Sequence, residues 1–485
     1  MTGVAKLTGA TTNLGNYWKA INWHKVGAEV KRLQMRIAKA VREGKKNKVK
    51  VFQWMLSHSF SAKLLAVKRV TSNKGAKTPG VDLTIWNTPA RKMRGALSLR
   101  RKGYVAFPLR RILIPKKNGK KRPLGIPTIR DRAMQALYLL TLEAIAETTA
   151  DSNSYGFRYF RACRDAIAQC FCSLAKSYSP QWLLDADIKA CFDEISHKWL
   201  LENIPMDKRM LQQWLKCGYY FQDSKLFPTN AGTPQGGILS PTLANMTLDG
   251  LEAVIKKSCP PRRKVNFIRY ADDFIVTAES QELLVNNIIP AINEFLKPRG
   301  LKLSEEKTKI VGIEQGFDFL GQNLKKYRNR LIITPSKENI KSFLDKVKTV
   351  IKKCRGRKTA DLINQLNPMI LGWANYQRYA QSAKAFSHAN KIIFQALWRW
   401  IKKRHPEKSC GWRIKKYFNH PKRKWGFCCI IKEKSGNKKL LELIKPTYIK
   451  LDRYIKIKGE ANPFNPKYTG YFNMRRTYSN IIPIS

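Results

Sequence analysis

The sequence predicts an α+β protein in which a sheet-forming centre is flanked on both sides by basic helical segments. Three observations carry that expectation. Residues 108–127 and 265–278 are rich in β-branched and aromatic residues around Asn118-Gly119 and Tyr270-Ala271-Asp272-Asp273, and each reads as a β-hairpin. Apolar residues recur at helical spacing before residue 70 and again after Gly321. Charge is partitioned along the chain: residues 1–100 carry 21 basic and 3 acidic side chains, residues 321–485 carry 39 and 8, and residues 101–320 carry 32 and 23.

In chain order, Trp23, Val26, Val30, Leu33, Ile37 and Val41 mark a basic amphipathic helix over 23–42. A second helix is expected at about 49–67, after Lys45, Lys46, Lys48 and Lys50, and the run KTPGVD from Lys77 ends the pattern. Residues 1–100 thus read as a basic extension of helices and loops. The segment PLRRILIPKKNGKKRPLGIP alternates apolar and basic residues on either side of Asn118-Gly119, and a helix follows over 131–148. WLLDADIKACFDEI runs from a buried strand into a turn. In GTPQGGILSPTLANMTL a glycine-rich loop meets Ser240 as the expected N-cap, with Pro241 at the first helical position. Past Gly321 come three helical patterns. The first runs from Ile340 to Ile351, the second covers about 360–380 with a kink or break at Pro368, and the third runs from Phe386 to Ile401. Residues 406–485 lack clear periodicity and read as a separate basic module.

A chain of 485 residues exceeds the size at which one core keeps growing, so several domains are expected. The net charge of +58 is too large for a solubility device and points to a polyanionic partner. A uniformly basic protein would show no such partition. The ten cysteines form no C-x-x-C pair, which favours buried reduced thiols; His405, Cys410, His420 and Cys428 make at most a loose zinc set. No apolar stretch is long enough to span a bilayer and the N-terminus lacks a signal-peptide core, so a cytosolic protein is expected.

Adjacent carboxylates at a hairpin tip repel each other, and a divalent cation with hard oxygen ligands relieves that repulsion. Taken alone, Asp272 and Asp273 are more simply an acidic turn. A template-copying polymerase needs carboxylates from separate strands to hold two metal ions. Asp187, at the expected end of the strand that begins at Trp182, supplies a third. Asp185 shares its face two residues earlier, and periodicity does not choose between them.

With these motifs in view, the chain resembles the reverse transcriptase/maturase proteins encoded by bacterial group II introns. KTPGVD, RRILIPKKNGKKRPLGIP, DADIKACFDEI, GTPQGGILSPTLANMTL and YADDFIV occur in the family's order, joined by SYGFRYFRACRDAI, LKLSEEKTKI and GFDFLG. The resemblance implies a right-hand polymerase: a basic N-terminal extension of the fingers (1–100), fingers and palm with an antiparallel sheet (101–325), an α-helical thumb called domain X (326–405), and a small basic module suited to DNA (406–485). It implies that Asp187, rather than Asp185, joins Asp272 and Asp273 as the catalytic carboxylates. Two Mg²⁺ ions are implied, with Mn²⁺ able to substitute. Asp272 is the sharper candidate for coordination, with Asp273 contributing more through its charge.

Phe192 matches a ring that crowds a ribose 2′-hydroxyl, although without the motif it would read as core. Lys116 and Arg122 match positions that grip the incoming triphosphate, Gln235 lies next to the nascent base pair, and Lys307 steadies the active site or primer end. The plain alternatives are a solvated loop, a turn before a helix and a solvated lysine. The implied partners are group II intron RNA, target DNA and deoxynucleoside triphosphates, with no membrane and a place in the bacterial cytosol or on the nucleoid. Trp373, Tyr376, Trp398 and Trp400, among basic residues, suit either RNA contact or the thumb core. No paired cysteines follow about residue 475, so no endonuclease domain and no second-strand cleavage are expected. The implied function is RNA-directed DNA synthesis with assistance to intron splicing and mobility. The alternatives are a splicing factor without polymerase activity and a reverse transcriptase of a defence or diversification system.

Overall fold

The computed structural model describes residues 11–115, 119, 121–221, 225–423, 425–432 and 436–479. The chain divides into two compact units: residues 1–162, 184–310 and 457–485 form one, and residues 163–183 and 311–456 form the other.

The first unit is organised around the helix Ile129–Thr149, which is buried along almost its whole length. Its N-terminus is capped by Thr128, whose hydroxyl accepts from the Asp131 amide at 3.1 Å. A helix buried all round must satisfy its polar side chains within the protein. Asp131 accepts from the Tyr104 hydroxyl at 2.6 Å, Glu143 pairs with Arg69 at 2.6 Å, and Glu147 pairs with Arg158 at 3.0 Å. The basic helices Trp23–Arg42, Lys46–His58 and Phe60–Thr71 pack on this axis. Trp23–Arg42 matches the expected amphipathic helix, and its apolar stripe is the buried face. The single helix expected over 49–67 is instead two. Ser59 adopts an extended conformation (ψ 131°) that no helix interior permits, so the chain turns there and presents Leu64, Val67 and Val70 to the core.

Strands β1 (Leu109–Pro115) and β2 (Lys121–Ile126) form the expected antiparallel hairpin, with Ile114 opposite Arg122. Lys116, beyond β1, lies outside the described residues. After β3 (Trp182–Asp187), β4 (Tyr219–Phe221) pairs parallel with β1, and β5 (Lys225–Phe227) completes the order β2-β1-β4-β5. A second sheet combines β3 with β6 (Asn266–Tyr270), β7 (Asp273–Ala278) and β8 (Lys309–Gly312) in the order β6-β7-β3-β8. Leu183, Leu184, Phe267, Ile268, Phe274 and Ile275 of this sheet are at most 1% exposed, so the strand ends are held by a rigid core.

In the second unit, β9 (Phe317–Phe319), β10 (Gln322–Tyr327) and β11 (Arg330–Pro335) form an antiparallel meander. The helices Lys337–Lys353, Thr359–Gln377 and Ala383–Arg404 follow, each with its apolar stripe buried. Pro368 does not break the second of these, which runs continuously past it. Trp373 stacks on Phe343 with ring centroids 4.3 Å apart and Trp400 is buried, so both belong to the core. Tyr417, Phe418, Phe427 and Leu443 close the same core from beyond the helices. His405 bonds the Tyr417 hydroxyl and His420 meets Glu442, each at 2.7 Å, so both imidazoles serve this packing. Among the described residues no helix is long and apolar enough to cross a membrane.

Candidate active site

The turn between β6 and β7 is fixed from below. Ala271 sits at φ +60°, a left-handed conformation that costs a non-glycine residue energy and persists only where neighbours impose it. The segment 153–156 imposes it. Arg269 N donates to Asn153 O and Tyr155 N to Arg269 O, both at 2.9 Å. Gly156 lies so close that a Cβ there would stand 2.4 Å from Ala271 N. Arg269, fully buried, donates to Asp249 at 2.5 Å, to the Asn245 carbonyl oxygen at 3.3 Å and to the Ala271 carbonyl at 3.4 Å. Asn245 Nδ2 in turn donates to Gly156 O at 2.7 Å. Arg269, Asn245 and Asp249 carry no signal in the sequence, because burial of an arginine leaves no mark in local composition.

The acidic pair occupies this turn, Asp272 at the tip and Asp273 as the first residue of β7. β3 lies beside β7 and carries Asp185 and Asp187 on one face. Burial raises the Asp272 carboxyl above the ordinary carboxylate range and the charge of Asp187 adds to the effect, while Lys307 and Arg122 oppose it. Asp273 is pushed up to about 7, first by burial and then by the charges of Asp185, Asp187 and Asp272. Asp185 therefore belongs to the cluster; the period-2 spacing of β3 was the signal for it.

Lys307 Nζ lies 2.9 Å from Asp187 Oδ2, and this bond raises the lysine above its usual range. The backbone supports the approach, since Ser304 N donates to Asp187 O at 2.8 Å. Among the described residues no three acidic, histidine or cysteine side chains close on a common point as a finished metal cage. Carboxylates brought together on adjacent strands, with an ammonium ion already drawn to one of them, nonetheless make a donor set that suits a hard divalent cation.

The glycine-rich loop lies between β2 and the short helix Cys191–Glu194. Gly125 N donates to Gln235 O at 2.9 Å, and a Cβ on Gly236 would meet Gly125 O at 2.6 Å. On the other side Thr233 N donates to Phe192 O at 2.6 Å and Gly232 N to Ile195 O at 2.8 Å. Arg122 Nε donates to the Gln235 side-chain oxygen, so two of the expected substrate residues are in direct contact. Phe192 is half-buried and meets Phe157 edge-on at 6.3 Å. Ser240 is not the expected N-cap. Its hydroxyl donates to Pro234 O at 2.8 Å and braces the loop, and the following helix has no side-chain cap.

Three segments of the chain match known families. Residues 114–324 match reverse transcriptase (RNA-dependent DNA polymerase), residues 18–99 the N-terminal domain of reverse transcriptase, and residues 340–418 the group II intron maturase-specific domain. Reverse transcriptase, an RNA-dependent DNA polymerase, is the class that these matches define. The chain belongs to the family of group II intron-encoded reverse transcriptases and maturases. Protein YkfC of Escherichia coli (strain K12) is 30% identical over 341 residues, covering 60% of this chain and 89% of that protein. The group II intron-encoded protein LtrA of Lactococcus lactis subsp. cremoris is 37% identical over 258 residues, 51% of this chain but 40% of LtrA. Among solved structures, apo telomerase from Candida Tropicalis aligns over 64% of this chain and 59% of its own at a TM-score of 0.40 and 13% identity.

Proposed function

We propose that this chain copies group II intron RNA into DNA from deoxynucleoside triphosphates, and that it binds the same RNA to assist splicing and insertion into target DNA. The observation that carries the polymerase reading is the convergence of carboxylates from β3 and the β6–β7 turn beside a loop that joins Arg122 to Gln235. A reverse transcriptase depends on divalent metal; we assign two Mg²⁺ ions to Asp187, Asp272 and Asp273, with Mn²⁺ as a substitute. Held by these carboxylates, such ions would supply the charge that lowers the pKa of a primer 3′-hydroxyl and neutralises a leaving pyrophosphate. Lys307, meeting Asp187 directly, tempers the negative charge of the site and steadies it. Arg122, its Nε bonded to Gln235, has its two terminal amino groups to offer as parallel N–H donors to a phosphate, geometry that a lysine lacks. On the motifs that carry them, we assign Phe192 to the space beside a ribose 2′-hydroxyl and Gln235 to the border of the new base pair. Lys116 is assigned to the triphosphate on the motif alone.

The basic helices of the first unit and those of the 337–404 segment supply cationic surface for RNA phosphates and exposed bases. A cytosolic or nucleoid location follows from such a partner. The test is primer extension on an RNA template with Mg²⁺. Asp272→Asn abolishes synthesis while intron RNA binding stays near wild type, whereas undiminished synthesis refutes the metal assignment. For splicing, precursor RNA at low Mg²⁺ gives ligated exons faster with protein than without; equal rates refute that role and leave the polymerase standing.

A further inference from the structure

The short helix Cys191–Glu194 carries a second side chain, next to Phe192, that reaches the nucleotide loop. Gln235 Nε2 lies 3.1 Å and 3.0 Å from the two carboxylate oxygens of Asp193 and donates to them. At the other end of the same amide, Oε1 accepts from Arg122 Nε. A carboxylate only accepts and a guanidinium only donates, so each selects the opposite end of an amide. Placed between the two, Gln235 has one orientation that satisfies both. Turned over, it would set NH₂ against guanidinium and carbonyl against carboxylate.

We propose that Asp193 is a positioning residue for nucleotide binding, which sets the amide of Gln235 so that its oxygen holds Arg122 ready for the triphosphate. The proposal rests on the reading of Arg122 and Gln235 as nucleotide contacts. The backbone, rather than the side chains, brings the partners together. Asp193 N donates to Ala190 O at 2.8 Å, Ala190 itself being left-handed at φ +44°, and Thr233 N and Gly232 N tie the loop to Phe192 O and Ile195 O. A Cβ on Gly232 would stand 2.5 Å from Asp193 O, so the loop approaches this helix as closely as glycine allows. One helical turn thus carries both the Phe192 ring and the carboxylate that meets the glutamine. Asp193 and Arg122 are both exposed, so its loss shows in nucleotide affinity more than in the fold.

The test is single-nucleotide incorporation on an RNA template, with dNTP KM and kcat measured separately. A wild-type chain that makes no DNA refutes the polymerase reading itself; with an active wild type the following outcomes bear on Asp193 alone. Losing a charge-assisted hydrogen bond at the Asp193→Ala site raises dNTP KM roughly tenfold with kcat changed by less than about threefold. Asp193→Asn keeps an acceptor oxygen and recovers most of the loss. Gln235→Glu sets two carboxylates against each other and also raises KM, and adding Asp193→Asn restores a donor–acceptor pair and brings KM back towards wild type. These last variants keep side-chain size, so they decide the matter even where Asp193→Ala folds poorly. An unchanged KM in Asp193→Ala, or a double variant no better than Gln235→Glu alone, overturns the proposal.

Discussion

Asp273 is one of four carboxylates gathered on β3 and the β6–β7 turn, and its raised proton affinity reflects first its burial and then that crowding. An unfolded aspartate ionises near 3.8, whereas folded Asp273 keeps its proton to about 7. Between those values the folded chain binds more protons, so stability is greatest below the lower one and falls as pH rises to the upper one. In chelator-treated protein the melting temperature therefore drops across that window, and Asp273→Asn flattens the drop. A slope unchanged by that substitution would place the crowding elsewhere. Phe192 supports a second prediction at this scale. It is half-buried and touches Phe157 only by its edge, so Phe192→Ala leaves folding nearly intact and lets ribonucleotides into the product. Sugar selectivity that stays constant in the incorporation assay would return the ring to a packing role.

At the scale of the element, the hairpin that carries Asp272 and Asp273 is not self-supporting. Its left-handed Ala271 is imposed by the 153–156 segment and by Arg269, residues that lie on either side of more than a hundred intervening positions. Gly156→Ala is the sharpest probe, because the new methyl would meet backbone at 2.4 Å rather than a side chain that could swing away. Overpacking of this kind costs about 1–3 kcal/mol, so the variant folds with a lower melting temperature. Primer extension falls further than stability does, since the turn must shift to admit the methyl; equal activity would show that the carboxylates tolerate the displacement. The hairpin itself was legible in VNFIRY and FIVTA. Its support was not, because a close approach between distant backbones leaves only a lone glycine in the sequence.

At the scale of the molecule, residues 457–479 pack on the first unit. Ile457 and Ala461 are buried there, Phe464 meets Tyr159 edge-on at 5.8 Å, and Phe472 lies 4.8 Å from Phe160. Arg161 donates to Gly459 O at 2.6 Å, and Asn462 to the Thr148 hydroxyl at 3.1 Å. Tyr159, Phe160 and Arg161 lie in or beside the SYGFRYF motif, whose Gly156 props the acidic turn. Each fully buried phenylalanine is worth about 1.5–3 kcal/mol, so a chain ended at Lys456 unfolds several degrees lower by calorimetry. DNA synthesis drops with it. A truncated chain as stable and as active as the whole would reduce this segment to a passive tail.

The sequence by itself determined the local elements and named the candidates for the site. Helical periodicity marked Trp23–Arg42 and the helices after Gly321, alternation marked both hairpins, and ordered motifs marked Asp187, Asp272, Asp273, Arg122, Phe192, Gln235 and Lys307. These signals are readable because they repeat within a few residues or stand as contiguous motifs. Tertiary structure decided the rest: that Asp185 joins the acidic cluster, that Asp193 orients the amide facing Arg122, that Ser240 braces a loop instead of capping a helix, and that Ser59 divides one expected helix into two. Charge, burial and hydrogen-bond geometry act through space, and residues distant in the chain become neighbours only when the strands and loops that carry them pack.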